Sequence, residues 1–525
     1  MTESPSATPT ETRGESRALW ALAGLVAGVA GLAVSYAAAL ALTIRESPVV
    51  AVAELVIRLT PGGLAEWAIQ TMGTYDKPFL VTVIFVFLAG AFLVAGVLAR
   101  RSWILAVLVF VSLAAAGVGA VLARPGASAF DLAPLVLGFV TWLVTLNLLT
   151  APLIAARTER ADESFGGPSP TGQARRTFLV RAGVVGVAAV GAGLLGRFLG
   201  RGRRQVETTR RLLRLDGVSR PRVPADAEVG LDGITAWQTP AEDFYLIHTA
   251  IAIPTIDPDE WQLRIHGLVD REIVLTYSDL MERDLTESWV TLNCVSNPVG
   301  GNLVGNAWWS GVRLAALLEE AGVDPSADAV LQTSDDGWTC GTPLAALTDD
   351  RDAMLAVAMN GEALPIEHGF PVRTIVPGLY GYVSACKWVV DMEVTRFDDV
   401  TAYWTDKGWG ELGPVKAASR IDVPRSGSEV RAGEVGVGGV AWRQHTGIEA
   451  VEVALDGGGW QPATIAGVPS DDTWVQWAAT ISVPSGSHVL LVRAKEKGGD
   501  WQTGVQRDVL PDGATGWHQV DFTAT

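Results

Sequence analysis

Five runs of roughly twenty apolar residues, at about 18–44, 79–99, 102–123, 133–155 and 178–200, constrain this chain more than any other feature. That is the length a helix needs to cross the hydrocarbon core of a bilayer. A backbone in lipid must satisfy its own hydrogen bonds, so each run is expected to be helical. Residues 18–200 are therefore read as an all-α transmembrane anchor of about five helices, behind a cytoplasmic tail at 1–17. A mean hydropathy of +0.27 over 525 residues excludes a wholly soluble protein, and the length requires several domains.

Positive charge in short loops orients the spans. Arg13 and Arg17 precede the first, Arg100 and Arg101 join the second to the third, and Arg157, Arg160, Arg175 and Arg176 follow the fourth. All fall on one side when the N-terminus is cytoplasmic, and the fifth span then places the remaining chain outside the cell membrane. Arg201, Arg203, Arg204, Arg210 and Arg211 would lie outside, against the rule. The stretch Ala174-Arg175-Arg176-Thr177-Phe178-Leu179 resembles the R-R-x-F-L core of a twin-arginine export signal. Such a route carries folded domains and could override an unfavourable flank; an ordinary basic anchor flank is the other reading.

The formal charge of -17 is carried mainly by the second half, which excludes nucleic acid as a partner. No histidine occurs before His248, and a haem held between membrane helices normally needs axial histidines. The anchor is thus not expected to be a cytochrome. Cys294, Cys340 and Cys386 form no C-x-x-C pair, so neither a disulfide framework nor a zinc site is expected.

Residues 201–236, rich in Arg, Pro and Asp, read as a linker. A globular pattern begins at Trp237, and 237–400 reads as a mixed α+β domain. Trp261 to His266 and Val290 to Leu292 have strand character, while Arg313 to Ala321 and Pro343 to Leu347 have helical character. Cys294 ends the second of these strands and opens into a loop with Asn297, Pro298, Gly300, Gly301, Asn302 and Gly305. Loops of this kind bring backbone N–H groups close to anionic ligands. On that observation alone, a buried inert thiol is the favoured reading.

The stretches TLNCVSNPVGG, GNAWWSGVRL, SDDGW, AMNGEALPIEHGFPVR, VPGLYGY and ACKWV occur in the order and spacing of the molybdopterin-binding domain of the sulfite oxidase family. The resemblance covers about 237–395. It implies a molybdenum cofactor, Mo-molybdopterin, with the metal bound by a pterin dithiolene and one protein thiolate, and Cys294 falls at the thiolate position. A soft thiolate suits a high-valent transition metal. His368 and Arg373 match the family's pterin-contacting pair. Ser384 to Lys387 match its phosphate-side segment, so Ser384 and Lys387 join the cofactor-binding set. Phe244 to Thr249 match the segment that closes over the cofactor, adding Tyr245 and His248.

The match departs at two positions. Sulfite oxidases hold their dianionic substrate with an Arg where Ile247 stands here, and Trp409 stands at the position of a Tyr beside the metal. Trp409 is taken as a catalytic candidate with Cys294. An Ile contributes no charge to pair with a buried dianion. Lys416 and Arg420 could supply charge instead, or be paired structurally. Trp308, Trp309, Tyr380, Tyr382 and Trp404 suggest an aromatic pocket for a neutral or amphipathic substrate such as an S-oxide or N-oxide.

Beyond residue 400 a connecting segment leads into alternating strands at Gly433 to Trp442, Ile448 to Leu455, Trp474 to Val483 and His488 to Lys495, separated by turn signals. This spacing predicts a β-sandwich. The GGVAW and VEVALDGGGWQPA stretches resemble the immunoglobulin-like domain of sulfite oxidases, which implies a homodimer.

The resemblance implies oxygen-atom transfer to or from a small-molecule substrate. It also implies a separate electron-transfer partner, a cytochrome or a quinone-linked protein, because the chain carries no haem motif of its own. A true sulfite oxidase or dehydrogenase is one alternative. A metal-free membrane-anchored receptor on the same fold is another.

Overall fold

The computed structural model describes residues 12–42, 44, 47–124, 127–162, 171–199 and 202–525. Most of the tail expected at 1–17 lies outside the described residues. The chain divides into two units, one formed by 1–205 with 249–252 and the other by 206–248 with 253–525.

The first unit is helical. Its long helices are α1 (Thr12–Ala41), α4 (Asp76–Ala99), α5 (Trp103–Leu122), α6 (Ala133–Asp162) and α7 (Thr171–Leu199), with the shorter α2 (Pro48–Leu59) and α3 (Gly62–Met72) between the first two. The long five carry the segments Arg17–Ala41, Asp76–Ala99, Trp103–Leu122, Ala129–Ala156 and Gln173–Leu194, each long and apolar enough to cross a membrane. Small residues let the backbones meet: a Cβ on Gly24 would lie 2.1 Å from the Phe92 carbonyl, and one on Gly96 would lie 2.1 Å from that of Trp20. Beside this contact Phe110 stacks on Trp142 and Phe92 is tilted against both, and the Trp142 indole donates to the Gly28 carbonyl at 2.9 Å. Pro152 inside α6 has no N–H for the carbonyl four residues earlier. That carbonyl, of Leu148, instead accepts from Arg181 at 2.9 Å. Val86, Phe87, Ile104 and Val187 point outward and are exposed, as lipid-facing side chains would be.

The second unit opens with α8 (Gly202–Leu212), which begins in the first unit's range and enters the second at Val206. The expected linker is therefore not a bare tether. Val206 and Ala227 are buried, the Val229 and Thr235 amides donate to Gln476 and Asp422, and the Gly467 amide donates to the Asp226 carbonyl. Arg, Pro and Asp in this stretch suppress apolar periodicity, yet their backbone bonds fix the path.

Two sheets follow. The first joins β1 (Gln262–Gly267), β2 (Ile273–Thr276), β5 (Ala329–Ser334), β6 (Thr339–Pro343) and β10 (Val389–Thr395) in the order β2-β1-β10-β5-β6, with β1 and β10 parallel. The second joins β3 (Thr286–Asn293), β4 (Val304–Arg313), β7 (Met354–Met359) and β8 (Glu362–Ala363) in that order, with β9 (Arg373–Ile375) also paired to β7. Short helices α9 (Tyr277–Met281), α10 (Leu314–Ala321), α11 (Leu344–Thr348) and α12 (Gly381–Ser384) connect them. Every residue of β7 is buried, as expected of a central strand covered on both faces.

The remaining strands are β11 (Ala418–Val423), β12 (Glu429–Val430), β13 (Gly433–Trp442), β14 (Ile448–Leu455), β15 (Gln461–Ile465), β16 (Val475–Val483), β17 (Gly486–Glu496) and β18 (His518–Ala524). They form one curled sheet in the order β11-β13-β16-β15-β14-β17-β18-β12. Its two ends share a core that includes Val437, Val451, Trp477, Leu490 and Phe522.

Candidate functional site

The β3–β4 hairpin sets the position of Cys294. The last five residues of β3 are all buried, so the strand runs deep before it ends at Asn293. The Cys294 amide donates to the Leu303 carbonyl at 2.9 Å, and the Leu303 amide donates to Asn297 Oδ1 at 2.9 Å. These bonds pin the loop at both ends. Gly300 has φ +76°, and a Cβ there would lie 2.1 Å from the His518 ring. Arg420 donates to the Gly301 carbonyl at 3.0 Å. The loop is thus held against β18 and β11, and the buried Cys294 side chain opens it from the inside.

Tyr245 is within reach of the charges of both Cys294 and Arg373. Burial pushes its phenol well above the ordinary tyrosine range; the Cys294 charge adds to this and the Arg373 cation opposes it. A Cβ on Gly381 would lie 3.5 Å from the Tyr245 hydroxyl and 3.9 Å from the Asn293 carbonyl, so α12, β3 and this tyrosine converge. Tyr380, just before α12, is pushed up to about 12, by burial first and by the Cys294 charge among smaller causes. Asn293 Oδ1 is buried and has no hydrogen-bond partner among the described residues.

His368 and Arg373 flank a tight turn. His368 ends a short 3-10 helix, Ile366–His368. Its Nε2 lies 2.9 Å from the Ala241 carbonyl, and its ring meets Phe244 edge to face at 5.7 Å. Burial, then the Lys387 and Arg373 charges, lower it to about 3, so it is neutral at physiological pH. Arg373, 4% exposed, lies over the Trp309 ring at 5.2 Å. Its hydrogen bonds go to the carbonyls of His368 (3.0 Å), Ala385 (3.4 Å) and Thr374 (3.5 Å). Burial lowers it to about 10. Lys387 donates to the Glu367 carbonyl at 3.1 Å and sits over Trp388 at 5.3 Å. The His248 ring meets the same Trp388 at 6.2 Å.

Cys294, Tyr245, Arg373, His368 and Lys387 therefore form one connected group, which His248 joins through Trp388. The Ser384 hydroxyl is turned back onto its own helix. It donates to the Tyr380 and Leu379 carbonyls at 2.9 and 3.2 Å, because a serine ending so short a helix can bond back to carbonyls of the preceding turn. Trp409 is buried, packs on Tyr382 and Trp404, and its indole N–H has no acceptor among the described residues.

Of the possible compensating cations, Arg420 pairs with Asp422 at 2.6 Å and donates to Thr235 at 2.7 Å; it is a structural residue. Lys416 donates to the Gly513 carbonyl at 3.0 Å, and burial lowers it from the ordinary lysine range. Trp308 meets Trp289 edge to face at 5.3 Å, on the opposite face of β4 from Trp309, and so is core rather than pocket.

Two features escaped sequence reasoning. Asn293 was overshadowed by its neighbour, Cys294. A cavity of about 660 Å³, lined by Arg210, Ala241, Glu362, Glu367 and His368 among others, includes a residue from the expected linker, where nothing in the sequence pointed to a site.

The donor set fits a molybdenum cofactor. A buried guanidinium bonded only to neutral carbonyls suits an anion, a buried thiol suits the metal, and an unsatisfied amide oxygen suits a pterin N–H donor. The oxidoreductase molybdopterin binding domain family matches residues 250–404. The uncharacterized oxidoreductase YuiH of Bacillus subtilis (strain 168) is 34% identical over 175 residues, 33% of this chain and 83% of that protein. The chain belongs to the molybdopterin-binding oxidoreductases of the sulfite oxidase family. It is an oxidoreductase, and its cofactor is Mo-molybdopterin. Mitochondrial sulfite oxidase of Homo sapiens is 27% identical over 319 residues, 52% of this chain and 58% of that protein. Sulfite oxidase of Arabidopsis thaliana is 25% identical over 352 residues, covering 55% and 88%. The sulfane dehydrogenase SoxCD from Paracoccus pantotrophus aligns in structure with a TM-score of 0.46 at 24% identity, covering 58% of this chain and 90% of that one.

Proposed function

We propose that this family member transfers an oxygen atom to or from a small substrate without net negative charge, outside the cytoplasmic membrane, with Cys294 as the metal's thiolate ligand. When bound, the cofactor supplies two-electron chemistry coupled to oxygen-atom exchange, and the protein holds, orients and screens it. Arg373 and Lys387 hold the cofactor's anionic end. The neutral His368, with Tyr245 and His248, lines its ring, and the Trp409 N–H offers a donor to the substrate. Ser384 acts only through the shape of α12.

One observation carries the choice of substrate: Ile247 replaces the substrate-holding Arg of sulfite oxidases, and Arg420, which could have replaced it, is locked to Asp422. A buried dianion without a cation is strongly disfavoured. Steady-state assays of the purified protein on S-oxides, N-oxides and sulfite, with dye donors and acceptors, test this. Turnover of a neutral oxide with negligible sulfite oxidation is the expected result; rapid sulfite oxidation would overturn it. Sulfite oxidation, the activity in the names of several relatives, is the second reading. It is favoured by Lys416, whose ammonium is partly buried and bonded to a carbonyl.

Five apolar helices and the Arg175-Arg176 pair support a multi-pass anchor whose catalytic domain is exported folded through the twin-arginine route. Electrons pass to or from a separate cytochrome or quinone-linked partner. The curled C-terminal sheet, with its shared core, is read as an immunoglobulin-like sandwich that serves in dimerisation.

A further inference from the structure

We infer that Arg210 of α8 is a positioning residue for the cofactor site, clamping the wall that carries His368 and so slowing escape of the cofactor. This rests on the assignment of His368 and Arg373 to the cofactor under the proposed function.

An eleven-residue helix rich in charge does not hold itself together in water. The part of α8 from Val206 onward is fixed by two contacts with the catalytic unit. Val206, 4% exposed, enters the core that holds Phe244, Ile366 and Phe370. Arg210 grips Glu207 through two bonds of 2.9 Å, and its remaining arm donates to the Ala363 carbonyl at 3.2 Å. The Glu207 bond raises Arg210 above the ordinary guanidinium range, burial opposes it, and the Glu362 and Glu367 charges add to it.

Ala363 ends β8, two residues before Pro365. The Pro365 carbonyl accepts the His368 amide at 2.9 Å, and the His368 carbonyl accepts Arg373 at 3.0 Å. A pull on Ala363 is therefore relayed to both cofactor-facing side chains through a chain of bonded groups. Arg210 also lines the 660 Å³ cavity together with His368, Glu362 and Glu367. Its guanidinium, paired with Glu207, sits among the carboxylates of Glu242, Glu362 and Glu367 on that lining.

The test uses the detergent-solubilised full chain loaded with cofactor. Loss of molybdenum and pterin during dialysis is followed by metal analysis and by fluorescence of the oxidised pterin, with circular dichroism as a fold control. Arg210→Gln is expected to lose pterin ~10-fold faster than wild type, the effect of one lost charge-assisted hydrogen bond. Arg210→Lys, which keeps the charge but not the fork, is expected to fall between them. Glu362→Gln, which relieves the acidic rim, should lose pterin no faster than wild type. Loss from Arg210→Gln at the wild-type rate overturns the inference. If that variant does not fold, Arg210→Lys decides: faster loss with an unchanged spectrum supports the clamp, and the wild-type rate overturns it. A wild-type protein that carries no pterin sinks the cofactor assignment itself, an outcome distinct from a loaded protein indifferent to Arg210.

Discussion

Replacing Arg373 with Met should have opposite effects on the cofactor-free and the loaded protein. Burial lowers Arg373 from the ordinary guanidinium value to about 10. At ~1.4 kcal/mol per pH unit, that is a penalty on the order of 3 kcal/mol for keeping the folded state charged. The sign is that of a base whose folded value is depressed. The penalty is complete below the folded value, hence constant through neutrality, and fades only as pH rises through and beyond about 10. Against it stand one good carbonyl bond at 3.0 Å, two long ones at 3.4 and 3.5 Å, and the Trp309 face at 5.2 Å. Together these are worth roughly 2 to 3 kcal/mol. Cofactor-free Arg373→Met should therefore unfold within about 1 kcal/mol of wild type, or above it. Loaded protein loses the partner of a buried anion, a cost of about 3 kcal/mol or more, so cofactor affinity should fall by over ~100-fold. Urea unfolding of the full chain in detergent, with and without cofactor, measures both. Destabilisation of the cofactor-free variant by about 3 kcal/mol or more would show that Arg373 is structural, and would refute the reasoning.

Three other outcomes follow from local geometry. Gly300→Ala places a Cβ 2.1 Å from His518 at φ +76° and should lower stability by about 1–3 kcal/mol, seen as a reduced melting temperature together with reduced molybdenum content. The Asp456 carboxylate, 2.8 Å from His488, raises that histidine and is the largest cause of its shift, so its contribution is full below about 6.5 and lost as pH rises through the raised value. Asp456 is itself held below about 3.8, by the Val489 amide first and His488 next, so its contribution disappears only as pH falls through that lowered value. The stability gap between wild type and His488→Gln should thus be widest between about pH 4 and 6.5 and close in alkali, measured by thermal unfolding across pH. Arg175→Lys with Arg176→Lys should leave the catalytic unit inside the cell, as reported by protease protection; unchanged export would remove the twin-arginine reading.

The apolar runs were legible as long helices because each is an uninterrupted apolar stretch of about twenty residues, and α1, α4, α5, α6 and α7 begin and end close to the expected limits. The helices α2 and α3 are too short for that signal. In α8 the charged residues Glu207, Arg210 and Arg211 mask the buried Val206. Strand β18 was missed although Val520, Phe522 and Ala524 alternate in burial, since Asp and Gln intervene over a short stretch. β15 was hidden by Pro462 at the sheet's turn. At the site, residue type and order brought out Cys294, His368 and Arg373. The bonds of Arg420 to Thr235 and Gly301 join parts of the chain more than a hundred residues apart, which no local pattern encodes. Ser384 was assigned by its place in a segment, and its hydroxyl direction is set by the helix end.

The central claim is that Cys294 supplies the thiolate that holds molybdenum in an enzyme of this family. X-ray absorption at the molybdenum edge, on wild type and Cys294→Ser loaded to equal pterin content, tests it most directly. The account predicts one sulfur neighbour fewer in the variant, with turnover abolished and pterin retained. An unchanged sulfur shell with full activity in Cys294→Ser would contradict it.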